Sequence, residues 1–211
     1  MRITVFGATG GVGRELVRQS AAAGHEVTAV VRDPARLTVR LPGVSVRAVA
    51  RLDDPEPLRE LVAGRDAVLS GLGARGRRPD GVTERLTRSV LRAMEAAGTR
   101  RLVVVSAAPL GPRPADEPLV DRLVHRVVSA VLGEVYADLR RMEAALAESA
   151  LDWTSVRPPK LTHGPLTGRY RTVIGGTPPR GRTLSRADTA HAMLSLVDEP
   201  DAVRQGVGVA Y

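Results

Sequence analysis

Gly7-Ala8-Thr9-Gly10-Gly11-Val12-Gly13 follows directly on the apolar run Ile3-Thr4-Val5-Phe6. Glycines let a backbone turn out of a strand and approach a ligand closely. A helix starting near Gly11 would aim free amide groups and the positive end of its dipole at an anion. The context is that of a dinucleotide-binding turn: a β-type run before it, the amphipathic segment Val12 to Ala23 after it, and a second β-type run, His25 to Val31, beyond Gly24. On this reading Gly7, Thr9, Gly10, Gly11, Val12 and Gly13 hold a pyrophosphate. The alternative is a glycine-rich turn in an unrelated α/β domain.

Outward from this turn, apolar β-type runs alternate with longer amphipathic segments, the pattern of a doubly wound α/β fold with a parallel sheet between helices. Strands are expected over Arg2-Phe6, His25-Val31, Val44-Val49, Ala67-Ser70, Arg101-Val105, Asp152-Val156 and Gly206-Ala210. Helices are expected over Gly11-Ala23, Pro55-Val62, Gly81-Ala97, Leu119-Leu132, Tyr136-Ser149 and Arg186-Val197. Leu102-Val103-Val104-Val105 is apolar throughout, as a strand buried on both faces should be. Gly98 marks a helix end, and Ser185 with Asp188 resembles a capping box. The proline- and glycine-rich stretches Pro109-Pro118 and Pro158-Pro179 fit neither pattern. They follow the fifth and sixth strands, where a parallel sheet opens its ligand crevice, so substrate loops are expected near residues 107–132 and 157–180.

A length of 211 residues suits one domain. No apolar run is long enough to span a bilayer and Met1-Arg2 leads straight into a strand, so a soluble, cytoplasmic protein is expected, with no membrane contact. The absence of cysteine excludes disulfides and thiol chemistry, and His25, His125, His163 and His191 lie too far apart for metal-ligand spacing, so no metal is expected. The net charge of +8 is almost wholly arginine, Lys160 being the single lysine. With the arginines scattered and only five aromatic residues, the charge reads as a solvated surface with affinity for small anions rather than a nucleic-acid interface. Arg75-Gly76-Arg77-Arg78 is the one local basic cluster, read as a solvated loop.

A site selective for NAD places Asp or Glu at the end of the second strand. Here that place holds Arg32, and Arg36 follows the turn Asp33-Pro34, so two guanidiniums can converge on a 2'-phosphate and NADPH is favoured. Two alternatives stay open: both are ordinary surface arginines, or Asp33 reaches the ribose. Gly71-Leu72-Gly73 after the fourth strand would pass under the cofactor, and Arg51-Leu52 after the third would flank its adenine.

With these segments the chain resembles the atypical short-chain dehydrogenases, in the NAD(P)H-binding group of NmrA-like proteins, and within it the biliverdin reductase B or flavin reductase branch. The resemblance rests on residues 7–13, on Val31-Arg32-Asp33-Pro34-Ala35-Arg36-Leu37, on Leu151 to Pro159, and on Gly164-Pro165-Leu166-Thr167-Gly168-Arg169-Tyr170. It implies a Rossmann-type sheet of about seven strands in the order 3-2-1-4-5-6-7. The activity it implies is NADPH-dependent reduction of a flavin, a linear tetrapyrrole or a similar conjugated, often anionic, small molecule. It also implies that Ser106 is the hydroxyl at the end of the fifth strand and that Pro158-Pro159 hold the nicotinamide amide. Where the branch carries a histidine after this pair, Lys160 stands here, with His163 three residues on as a substitute. Ser106, Lys160 and His163 are therefore the candidates for acting on substrate.

Tyr136 with Arg140 could imitate the tyrosine-lysine pair of other short-chain dehydrogenases, but the helical spacing of Leu139, Met142 and Leu146 favours a structural tyrosine. Arg157, Lys160, Arg169 and Arg171 are expected around the pocket, and the apolar segment Leu119-Leu132 is expected to roof it or to form a subunit contact. Other possible functions are a pathway-specific reductase or isomerase of a secondary metabolite and a non-catalytic NADP-sensing regulator. Either a monomer or a small homo-oligomer is compatible with the sequence.

Overall fold

A computed structural model describes residues 1–37, 41–73, 76, 80–112 and 131–211. The expected apolar helix over Leu119-Leu132 and the cluster Arg75-Arg78 lie almost entirely outside the described residues. Chain order runs β1 (Arg2–Phe6), α1 (Gly11–Ala22), β2 (Glu26–Val31), β3 (Val44–Ala48), α2 (Glu56–Val62), β4 (Ala67–Ser70), α3 (Val82–Ala97) and β5 (Arg101–Val105). It continues through α4 (Gly133–Glu148), β6 (Asp152–Arg157), β7 (Lys160–Thr162), β8 (Arg171–Ile174), β9 (Thr183–Ser185), α5 (Arg186–Ser195) and β10 (Gln205–Ala210).

Eight strands form one sheet in the order β3-β2-β1-β4-β5-β6-β10-β8. All neighbours pair in parallel except β8, which runs antiparallel to β10. This is a Rossmann-type α/β fold. The seven expected strands occupy the expected order, with β10 as the seventh. The correction concerns Pro158-Pro179, expected to be irregular: it supplies β8 as an eighth strand and β7, which pairs with β9 in a separate two-stranded ladder. These strands have three or four residues and mostly exposed or half-buried positions, so they lack the apolar signature of the sheet interior.

The pleat divides the core. Ile3 and Val5 of β1 and Val103 of β5 pack with Leu16 and Val17 of α1 and Met193 of α5. Phe6, Leu102 and Val104 point the other way, into α2, α3 and α4 through Leu58, Met94 and Met142. Long-range caps lock the helices onto this frame. Thr4 Oγ1 and Thr99 Oγ1 donate to the carbonyls of Leu61 and Val62 at the end of α2, each at 2.6 Å. The buried carboxylate of Asp138 on α4 accepts the amides of Thr83 and Glu84 at the start of α3. Among the described residues no helix is long and apolar enough to cross a membrane.

Candidate functional site

The order β2-β1-β4 places the topological switch between β1 and β4, and the glycine turn leaves β1 at that point. Gly7 has φ +71°, and a Cβ there would lie 2.6 Å from the carbonyl carbon and oxygen of Gly71. A Cβ on Gly13 would lie 2.0 Å from the Gly7 oxygen, and one on Gly71 3.0 Å from the Gly13 nitrogen. Three backbone segments therefore stack where side chains would otherwise stand. The Gly10 amide donates to the Gly7 carbonyl at 2.8 Å and closes the turn. Gly10 contributes no side-chain cap to α1 and the first helical turn holds no acidic residue, so its amides are left for an outside anion. Such a cradle, which any Cβ would fill, fits a pyrophosphate. Thr9 enters through its backbone, its carbonyl accepting Arg14 Nε at 3.1 Å, while Val12 packs into the core.

Gly71 belongs to this stack, whereas Gly73 has open space where its Cβ would be. Leu72 and Leu52 are buried in the core beside α2 and α3. Arg51 is exposed and pairs with Asp53 at 3.2 Å. The Asp53 interaction holds the Arg51 pKa above its ordinary value. At the end of β2, Arg32 and Arg36 are both exposed. Asp33 caps the short helical turn Pro34–Arg36 by accepting the Ala35 amide at 3.0 Å, so one carboxylate oxygen is already engaged in that turn.

Ser106 extends the β5 ladder, its amide donating to the Val156 carbonyl at 2.7 Å, and the Ala108 amide reaches the Pro158 carbonyl at 2.9 Å. These two bonds join the ends of β5 and β6, bringing Ser106 and the Pro158-Pro159 pair to the sheet edge that carries the glycine cradle. Ser106 Oγ is buried, with no hydrogen-bond partner among the described residues. A buried hydroxyl left unpaired is costly, and a polar group on a ligand would relieve that cost. Tyr136 is buried while Arg140 is exposed. Burial raises the Tyr136 pKa. That is the opposite of what a cationic partner would do, so this pair does not reproduce an activated tyrosine.

Beyond β6 the arginines divide. Arg157 is expected at the pocket but is engaged within the fold: its Nε and Nη2 grip the Glu143 carboxylate at 3.0 and 2.7 Å, and Ser155 Oγ donates to the same group. A Cβ on Gly206 would lie 2.3 Å from the Arg157 Cζ, so the guanidinium is wedged beneath β10. Arg171 is likewise occupied, donating to the carbonyls of Pro179 and Tyr211. Both corrections have one cause: a guanidinium near satisfiable backbone or carboxylate oxygens is drawn to them, and sequence spacing does not reveal those partners. Lys160, at the start of β7, and His163 and Arg169 beyond it are exposed.

The Pro-Leu-Thr-Gly run is held by Asp188 of α5, a fully buried carboxylate. It accepts the amides of Thr167 (2.9 Å) and Gly168 (2.8 Å), the Thr167 hydroxyl (2.8 Å) and the Tyr211 hydroxyl (2.6 Å). Gly168 meets it with φ +66°, a conformation glycine adopts freely. Burial pushes the Asp188 pKa up, but the bonds from Tyr211, Gly168 and Thr167 outweigh it and leave the value lowered. Ser185 Oγ caps α5 through the Asp188 amide at 2.9 Å, the expected half of the capping box. The Ser185 amide donates to the Tyr211 hydroxyl instead of the Asp188 side chain. Sequence inspection missed two cations at the cradle, Arg14 and Arg186. The sequence signal for Arg14 is a basic residue directly after Gly13, at the start of a helix that should attract anions.

A family model described as NAD(P)H-binding matches residues 7–200. The chain belongs to this family. This NAD(P)H-binding chain is 35% identical over 156 residues to the (4-alkanoyl-5-oxo-2,5-dihydrofuran-3-yl)methyl phosphate reductase of Streptomyces griseus, covering 74% of the chain and 46% of that protein. It is 36% identical over 132 residues to the averufin oxidase of Emericella nidulans, covering 56% and 43%. It thus spans less than half the length of these curated relatives. A crystal structure of a Burkholderia pseudomallei protein superposes over all of both chains with a TM-score of 0.81 at 28% identity.

Proposed function

We propose that this chain is an NADPH-dependent reductase of a conjugated, anionic small molecule, in the manner of the flavin reductase branch it resembles. The observation that carries the reading is the glycine cradle with the Ser106 hydroxyl, unpaired among the described residues, two strands away on the same sheet edge. When bound, the reduced dinucleotide supplies a hydride from C4 of its nicotinamide. Ser106 orients the carboxamide or the acceptor through its hydroxyl, and the Pro158-Pro159 backbone fixes the nicotinamide plane. Lys160 attracts an acceptor carboxylate or phosphate, with His163 as a second polar contact. Because Tyr136 is not activated, the site suits acceptors that take hydride readily and collect their proton from solvent.

Steady NADPH oxidation with FMN or dichlorophenolindophenol is the expected result. Tight NADP binding without turnover on flavins, quinones or biliverdin would count against this acceptor class. A second reading, a reductase dedicated to one pathway intermediate, is favoured by the Streptomyces griseus relative, whose named substrate is both conjugated and a phosphate ester. Activity confined to such esters in the same screen would select it.

The preference for NADPH is supported by Arg32 and Arg36, exposed beside an Asp33 already bonded to the Ala35 amide. Replacing both arginines by alanine is expected to weaken NADPH by about 10- to 100-fold, the loss of charge-assisted bonds to one phosphate, and NADH by less than about threefold. Fluorescence titration of both nucleotides measures the ratio. Equal losses would remove the two residues from the phosphate site.

A further inference from the structure

Arg186 is the first residue of α5, yet its side chain crosses to the first residue of α1. A Cβ on Gly11 would lie 2.4 Å from the Arg186 Cδ and 2.7 Å from its Nε. Gly11 is therefore small because an arginine stem occupies its side-chain space, a reason separate from the backbone's approach to a ligand. Nη1 of Arg186 donates to the carbonyls of Thr162 (3.1 Å) and Leu161 (3.5 Å) on β7, which anchors the guanidinium while its Nε and Nη2 make no hydrogen bond among the described residues. Arg14, held by the Thr9 carbonyl, adds a second cation at the same helix start.

A cation at the positive end of a helix is unfavourable unless an anion lies between them. No carboxylate fills that role here: the first turn of α1 holds no acidic residue, and neither Arg14 nor Arg186 has an ion pair among the described residues. Carbonyl capping of β7 alone would not require the stem to lie across Gly11, nor explain two guanidiniums at one helix start. Resting on the reading that the dinucleotide binds at the start of α1, we infer that Arg186 donates from its free Nε and Nη2 groups to the dinucleotide pyrophosphate and closes the cradle at Gly11. The same side chain ties that phosphate site to β7, the strand that begins with Lys160.

Arg186→Met keeps an unbranched stem against Gly11 and removes the donors. Calorimetric titration of the purified protein is expected to show NADP+ binding weakened by about 10- to 100-fold in Arg186→Met, the loss of charge-assisted bonds to one anion. Binding of 2'-AMP, which has no pyrophosphate, should stay within about twofold of the unmodified protein. Arg186→Lys keeps the charge without the fork and should fall between the two for NADP+. NADP+ binding unchanged in Arg186→Met, or NADP+ and 2'-AMP weakened in equal proportion, would overturn the assignment, the second outcome marking a general distortion. If the unmodified protein binds no NADP+, the underlying dinucleotide reading fails, and the inference falls with it.

Discussion

Replacing Gly13 by alanine is expected to weaken dinucleotide binding by at least about 100-fold, because the added methyl enters a stack of backbones and not a pocket. The alanine Cβ would meet the Gly7 oxygen at 2.0 Å and the Gly7 carbon at 2.6 Å. Reaching ordinary contact requires a separation of about 1 Å or more between the start of α1 and the turn. Neither side can yield easily: Gly7 is backed by Gly71, and the Gly10 amide is bonded to the Gly7 carbonyl. A misplacement of that size at a phosphate site costs on the order of 100-fold in binding or rate, and overpacking adds about 1–3 kcal/mol of destabilisation. Calorimetric titration with NADP+ and a thermal melt read the two effects separately. Binding within about threefold of the unmodified protein would show that the cradle is not where the anion sits. By contrast, Gly73→Ala, with open space at its Cβ position among the described residues, should leave the thermal melt unchanged.

Removing the Asp188 carboxylate is expected to destabilise the loop that follows β7 and its contact with α5. Asp188→Ala leaves the amides of Thr167 and Gly168 and the hydroxyls of Thr167 and Tyr211 without their acceptor at a part-buried site. Losses of about 1–3 kcal/mol accompany the loss of such an acceptor, a fall in Tm of roughly 5 °C for a protein of this size. The pH dependence carries its own sign. The folded-state pKa of Asp188 is lowered, so the unfolded chain binds the proton more readily and the stabilisation is complete above the usual carboxylate range. It is lost as pH falls through the lowered folded-state value. Acid unfolding of Asp188→Ala, followed by circular dichroism, should lack this component and show a shallower dependence below about pH 4. A variant melting within about 2 °C of the unmodified protein would show that the Pro-Leu-Thr-Gly loop is held by something else.

The parts of the molecule that could be read from sequence share one physical character: their signal is local. The turn after β1 announces itself through glycines within a few residues, and strands such as Leu102-Val103-Val104-Val105 through burial on both faces. What escaped is long-range. The reason for glycine at position 11 is an arginine 175 residues later, and Arg157 is drawn inward by a glutamate on a preceding helix. Asp188 looked like half of a capping box, yet most of its donors come from segments more than 20 positions away. Strands β7, β8 and β9 were hidden for another reason. They are short and partly exposed, so nothing in their own composition separates them from the loops around them.

The placement of β10 constrains the order in which the sheet can be completed. It lies between β6 and β8, and among the described residues β8 has no ladder partner on its other side. β8 precedes β10 by more than 30 residues in the chain, yet its ladder bonds among the described residues go to β10 alone. The outer edge of the sheet is therefore laid out in reverse of chain order, and wherever β10 detaches the ladder bonds of β8 are lost with it.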